Sequence, residues 1–127
     1  NFYLRAFQGT AEALRFTGYV KVAGKGRFLC TISYEQLYDP QQMSRKLVKR
    51  ISDFRGNSRV EELYSSLEFA RFSYLKVVQG ERKWVDTWED PTQLPIAVRV
   101  QVQPESRTER AINRVYPVRN QTTFTLQ

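Results

Sequence analysis

The strongest constraint in this sequence is a two-residue period. Ile96, Val98, Val100 and Val102 alternate with Ala97, Arg99, Gln101 and Gln103. Successive side chains of a strand point to opposite faces, so such a run is a half-buried strand. The same period runs through Leu14-Arg15-Phe16-Thr17-Gly18-Tyr19-Val20-Lys21-Val22, with Gly18 its one weak member. It resumes at Phe28, Cys30, Ile32 and Tyr34. Between the two runs, Ala23-Gly24-Lys25-Gly26 can turn the chain, because glycine takes positive φ cheaply. The pair therefore reads as a β-hairpin.

The rest of the chain follows the same punctuation. Asp39-Pro40 marks a loop. Arg45 to Ile51, with Leu47-Val48 set among basic residues, predicts an exposed or edge strand, since inserted charge discourages edge pairing. Arg55-Gly56-Asn57 turns the chain again. Ser58-Arg59-Val60-Glu61 has the form of a capping box, and Val60, Leu63, Tyr64 and Leu67 follow helical spacing. That spacing predicts a short helix of about two turns. Leu67 to Val78 is strand-like and aromatic, and its alternation slips between Phe69 and Phe72, as at a bulge or under two-sided burial. Gln79-Gly80-Glu81 is a turn, Trp84 to Trp88 a short strand, and Pro91 and Pro95 bracket a loop. Pro104 to Thr108 turns the chain into a last long strand, Glu109 to Val118, followed by a polar tail, Asn120 to Gln127. The expected fold is mainly β with minor α. It consists of antiparallel β-sheets in a sandwich or folded meander with one short helix, as a single domain over residues 1–127.

Composition narrows the chemistry. Aromatic residues make up 13% of the chain, which favours pleated sheet. The absence of His and the single Cys exclude a His-based triad, a Cys-His pair, a zinc cluster and an intrachain disulfide. No apolar run reaches the roughly 18 residues of a membrane helix. Cys30 sits in an alternating apolar run and reads as a small buried hydrophobe. Gly24-Lys25-Gly26 lacks the spacing of a phosphate loop. Glu61-Glu62 and Glu89-Asp90 are adjacent carboxylates, whereas acid/base work needs convergence in space. Asp86, Glu89 and Asp90 could offer oxygens to calcium, but match no calcium loop. Asn120-Gln121-Thr122 has the form of a glycosylation acceptor. No catalytic, cofactor or metal site is read from these residues, and no cofactor is expected.

The net charge is +7, from 20 Lys and Arg against 13 Asp and Glu. Arg45, Lys46, Lys49, Arg50, Arg55 and Arg59 crowd one stretch, and Arg107, Arg110, Arg114 and Arg119 a second. Solvated faces are the ordinary reading of such groups. Basic residues also alternate with rings, as in Arg71-Phe72-Ser73-Tyr74, which can serve bases as a stacking platform. Rings in such runs are more often core. The chain opens on Asn1 and Phe2-Tyr3-Leu4 as if already inside a fold, and so reads as a fragment whose natural N-terminus lies upstream.

Three segments carry a resemblance. They are Leu67-Glu68-Phe69-Ala70-Arg71-Phe72-Ser73-Tyr74-Leu75, then Trp84-Val85-Asp86-Thr87-Trp88, then Leu94-Pro95-Ile96-Ala97-Val98-Arg99-Val100. Together they resemble the J-type minor pseudopilin of bacterial type II secretion, which pairs an aromatic strand ending in Tyr-Leu with Trp-x-x-x-Trp and Leu-Pro-x-Ala-Val. Phe7-Gln8-Gly9 with Leu14 to Gly18 resembles the start of the family's head, and Leu47-Val48-Lys49-Arg50 its basic strand. The signature residues are Leu67, Phe69, Tyr74, Trp84, Trp88, Leu94, Pro95, Ala97 and Val98, mostly structural in role. The family's basic leader, its Phe-Thr-Leu-x-Glu start and its long apolar helix are not in the sequence; Phe124-Thr125-Leu126 lies at the wrong end.

The resemblance implies a non-enzymatic subunit of the pseudopilus tip. It implies a periplasmic head, a parent held in the inner membrane only by its N-terminal helix, and methylation of that parent's N-terminus. The implied partners are the I-type and K-type minor pseudopilins, with secreted exoprotein or the outer-membrane channel as further contacts and no specific nucleic acid. Two other readings stay open: a minor pilin head of a type IV pilus or DNA-uptake system, and a basic nucleic-acid-binding β domain.

Overall fold

The computed structural model describes residues 2–118, and every regular element among them is a strand. The strands are β1 (Phe2–Gly9), β2 (Ala13–Val22), β3 (Gly26–Asp39) and β4 (Ser44–Asp53). They continue with β5 (Ser58–Val78), β6 (Glu81–Val85), β7 (Ala97–Pro104) and β8 (Ile112–Pro117). They form one antiparallel sheet in the order β1-β2-β3-β4-β5-β7-β8, with β6 paired to β5. The predicted hairpin is β2–β3, closed at Val22 opposite Gly26. Gln79 and Gly80 both take positive φ, 52° and 81°, as a two-residue hairpin turn requires between β5 and β6.

The expected helix is not there. Ser58 to Leu67 is the first half of β5, and no helix occurs among the described residues. The helical spacing has a different cause. Against β4, the pairing steps from Val48–Glu62 to Leu47–Tyr64 and then to Arg45–Leu67, so β5 carries an extra residue at each step. Against β7, the step from Pro104–Leu67 to Gln103–Phe69 adds a third, and nearby Ser66 has φ 53°. Each bulge advances the strand's phase by one residue. Repeated bulges thus convert a spacing of two into three or four and imitate a helix. The slip read between Phe69 and Phe72 lies slightly earlier, between Leu67 and Phe69.

Two further expectations are corrected. Arg45 to Ile51 is not an edge strand: β4 pairs β3 on one side and β5 on the other. Its charges fit there because alternate side chains leave by opposite faces, and Lys49 sets its ammonium 5.8 Å from the Tyr34 ring centroid. Trp84 to Trp88 is not one strand, because β6 ends at Val85. The architecture is a single curled sheet, not a two-sheet sandwich. The polar tail, with the glycosylation-like triplet, lies outside the described residues.

The core gathers on the inner face. Leu14, Phe16, Tyr34, Leu47, Phe72, Tyr74 and Val98 are fully buried, and Leu67, Val100 and Val102 pack with them. Strand β5 organises the curl. Leu67 pairs with both Arg45 and Pro104, and Tyr74 with both Val85 and Val98. One edge of β5 therefore carries β7, and the other carries β4 and then β6. Between β4 and β6 that second edge has no strand. The Phe72 amide donates there to the Ala11 carbonyl at 2.8 Å, and the Ala70 amide to the Gln36 side-chain oxygen. The β1–β2 corner thus folds back and satisfies the backbone groups that the gap exposes.

Candidate functional site

The corner is built around Gly9, Thr10, Tyr74 and Trp88. Gly9 and Trp88 exchange backbone hydrogen bonds of 3.0 and 2.9 Å. The Tyr74 hydroxyl, carried inward by β5, donates to the Thr10 carbonyl at 2.7 Å. The Thr10 hydroxyl accepts from the amides of Glu12 and Ala13, both at 3.2 Å, which sets the tight turn. The Tyr74 ring meets Phe7 edge-on at 5.6 Å, and Phe7 stacks on Phe16 at 6.2 Å. Burial pushes the Tyr74 phenol well above its ordinary pKa. The Trp88 indole N–H donates to the Gln93 carbonyl at 3.0 Å, inside the crossover from β6 to β7. Asp90 holds the same crossover by accepting from the Thr92 amide at 2.9 Å and hydroxyl at 2.7 Å. Those bonds, the amide's first, lower its pKa.

Beside the corner lies an open groove of about 690 Å³ on the outer side of β2, β3 and β4. Register aligns Arg15, Ser33 and Arg50 across the three strands. The neighbouring row is Thr17, Thr31 and Ser52, with the Thr17 and Thr31 hydroxyls 3.2 Å apart. Glu35 and Glu89 also line the groove. The arrangement offers hydroxyls and two guanidiniums for hydrogen bonding. Cys30 packs against the core on the other face. Burial first, and the Asp53 carboxylate second, raise its thiol pKa, which disfavours the reactive thiolate. Among the described residues no three His, Cys, Asp or Glu side chains gather to hold a metal ion.

The signature residues occupy two surroundings. Leu67, Tyr74, Trp88, Pro95, Ala97 and Val98 are buried, and Leu94 packs on the core. Phe69 and Trp84 are half-buried on the outer face of β5 and β6. There the guanidinium of Arg71 stands 5.5 Å from the Phe69 ring centroid and that of Arg99 4.1 Å from Trp84. The two tryptophans thus differ: one closes the corner and the other lies beneath an arginine.

The basic stretch does not form one face. Arg45, Arg50, Arg55 and Arg59 are exposed, while Lys46 and Lys49 are half-buried. Lys49 lies with Tyr34 on the inner face, and Arg50 lines the outer groove. Arg59 pairs with Glu61 at 3.2 Å. Arg107, Arg110 and Arg114 are exposed, and Arg119 lies outside the described residues. Neither Glu61-Glu62 nor Glu89-Asp90 joins a second carboxylate pair in a metal-binding group. Sequence reasoning missed the groove. Its signal is the polar half of each alternating run, but the register that aligns Arg15 with Arg50 is a property of the assembled sheet.

The comparison with solved structures finds this fold in a secretion assembly. A chain of the crystal structure of the GspK-GspI-GspJ complex from the enterotoxigenic Escherichia coli type 2 secretion system superposes with a TM-score of 0.59. The match covers 87% of this chain and 70% of that one, at 17% sequence identity. The likeness is one of fold. No protein-family profile and no curated protein matches the sequence.

Proposed function

We propose that residues 1–127 are the globular head of a J-type minor pseudopilin, a non-enzymatic subunit at the tip of a type II secretion pseudopilus. In this reading the head lies in the periplasm and its parent is anchored in the inner membrane by an apolar helix upstream of Asn1. The observation that carries the reading is the fold shared over 87% of the chain with a subunit of the GspK-GspI-GspJ complex. The three signature segments support it independently. They meet around Tyr74 and Trp88, where they build the crossover and the corner that give the sheet its curl. The head's task is association, for which a rigid sheet with broad outer faces is suited.

Its partners in this reading are the I-type and K-type heads of its own system. The test is to mix the purified heads and follow them by light scattering and calorimetry. A measurable complex of modest affinity is expected, because isolated heads meet without the long helices that in this reading also join pilus subunits. Folded heads that fail to associate at high micromolar concentration would overturn the assignment.

A further inference from the structure

The outer face of β6, β5, β7 and β8 has an unusual composition. Register places Arg82 and Trp84 of β6 beside Val77 and Leu75 of β5. It places Arg71 and Ser73 of β5 beside Gln101 and Arg99 of β7, and these beside Asn113 and Val115 of β8. Within this patch β5 carries one exposed carboxylate, Glu68 at the bulge between Leu67 and Phe69, and Asp86 and Glu105 stand just beyond the strand ends. Neither Arg71, Arg82 nor Arg99 has an ion pair with a described residue. Two of the three guanidiniums are held over rings, Arg99 on Trp84 and Arg71 on Phe69. At opposite margins of the patch, Val77 beside Arg82 and Val115 beside Arg99 are 51% and 52% exposed.

We infer that this face docks a partner protein whose matching surface carries carboxylates interspersed with aliphatic side chains. A guanidinium stacked on a ring keeps its N–H edge free and has already lost much of its rotamer freedom. It can then grip a carboxylate bidentately at lower entropic cost. The exposed valines and the Trp84 ring supply the apolar surface on which such contacts become strong, since Trp and Arg dominate the energetic centres of interfaces. None of the three guanidiniums is ion-paired with Glu68 or another described carboxylate, which leaves the attraction available and selects an acidic partner. Partner choice in the main test, and only that, rests on the function proposed above.

Calorimetry of the wild-type head and of the Arg71→Glu/Arg82→Glu variant against the I-type and K-type heads is the main test. Both arginines are solvent-facing, and a thermal melt verifies that the variant folds. The face predicts a loss of about tenfold or more in affinity for one partner head. The Arg55→Glu/Arg59→Glu variant, altered in the distant β4–β5 turn and at the start of β5, should change affinity by no more than about twofold. Equal losses in both variants, or none in the first, would overturn the inference. If the heads do not associate at all, the proposed function fails and a second arm decides the face alone. There a short peptide alternating Glu and Val is titrated into isotope-labelled head. Amide shifts confined to β5–β8, lost in Arg71→Glu/Arg82→Glu and at high salt, sustain it. Shifts that are absent or centred on Arg45 to Arg59, or duplex DNA displacing the peptide from the face, refute it.

Discussion

A Cβ atom placed on Gly9 would stand 2.0 Å from the Tyr74 hydroxyl oxygen and 2.3 Å from the ring carbon that bears it. The bare backbone of Gly9 is thus the surface against which the buried ring of Tyr74 rests. The same hydroxyl reaches one residue further, to the Thr10 carbonyl. This contact locks the β1–β2 corner onto the gap in the edge of β5, and the groove and the crossover take their positions from it.

Gly9→Ala should therefore destabilise the head by about 1–3 kcal/mol, the cost of forcing atoms into a packed interior. Tyr74→Phe should not rescue it, because the ring carbon at 2.3 Å remains. On its own Tyr74→Phe leaves the Thr10 carbonyl without its donor and should cost about 1–3 kcal/mol. Urea unfolding of the two single variants and the double variant checks both statements.

The two tryptophans should separate cleanly. Trp88 is 4% exposed and bridges to Gly9, so Trp88→Ala should cost about 3–5 kcal/mol. Trp84 is half-buried under Arg99, and Trp84→Ala should cost about 1–2 kcal/mol in packing and cation–π contact. Thermal melts of the two variants measure the difference.

The buried phenol of Tyr74 gives the head an alkaline limit. Its folded pKa is raised by burial, and that of Tyr64 is raised from the same leading cause. The folded state then holds protons that the unfolded chain releases. Stability from this source is complete below the ordinary tyrosine value of about 10 and falls as pH rises above it. Phenolate absorbance from Tyr74 should appear only with unfolding, and Tyr74→Phe should flatten the slope of stability between neutral and alkaline pH.

Cys30 should react slowly. Burial and the Asp53 carboxylate raise its pKa, which leaves little thiolate at neutral or mildly alkaline pH. Alkylation by iodoacetamide should be slower in the native head than in denaturant, where the thiol regains ordinary behaviour. Equal rates in the two conditions would contradict this placement.

The strands that alternate without interruption were legible in the residues. Leu14 to Val22 and Phe28 to Tyr34 form the β2–β3 hairpin, and Ile96 to Val102 is essentially β7. Two-residue alternation is a local property, and a turn rich in glycine needs no distant partner to declare itself. The stretch from Ser58 to Leu67 was not legible, because its bulges exist only against β4 and β7. Without those neighbours the shifted phase matches a helix. Likewise Arg45 to Ile51 carries the charge of an edge strand, and only the pairing of β3 and β5 on its two sides makes it central.

The sequence by itself determined that this chain is strand-built, with a core of alternating aliphatic and aromatic residues and no histidine for acid/base work. Tertiary structure alone decided which polar residues become neighbours: Arg15 with Ser33 and Arg50, Arg99 with Trp84, Gly9 with Tyr74. The physical reason is that side-chain direction repeats every two residues along a strand, whereas register between strands is set by long-range pairing, and each bulge shifts that register by one residue.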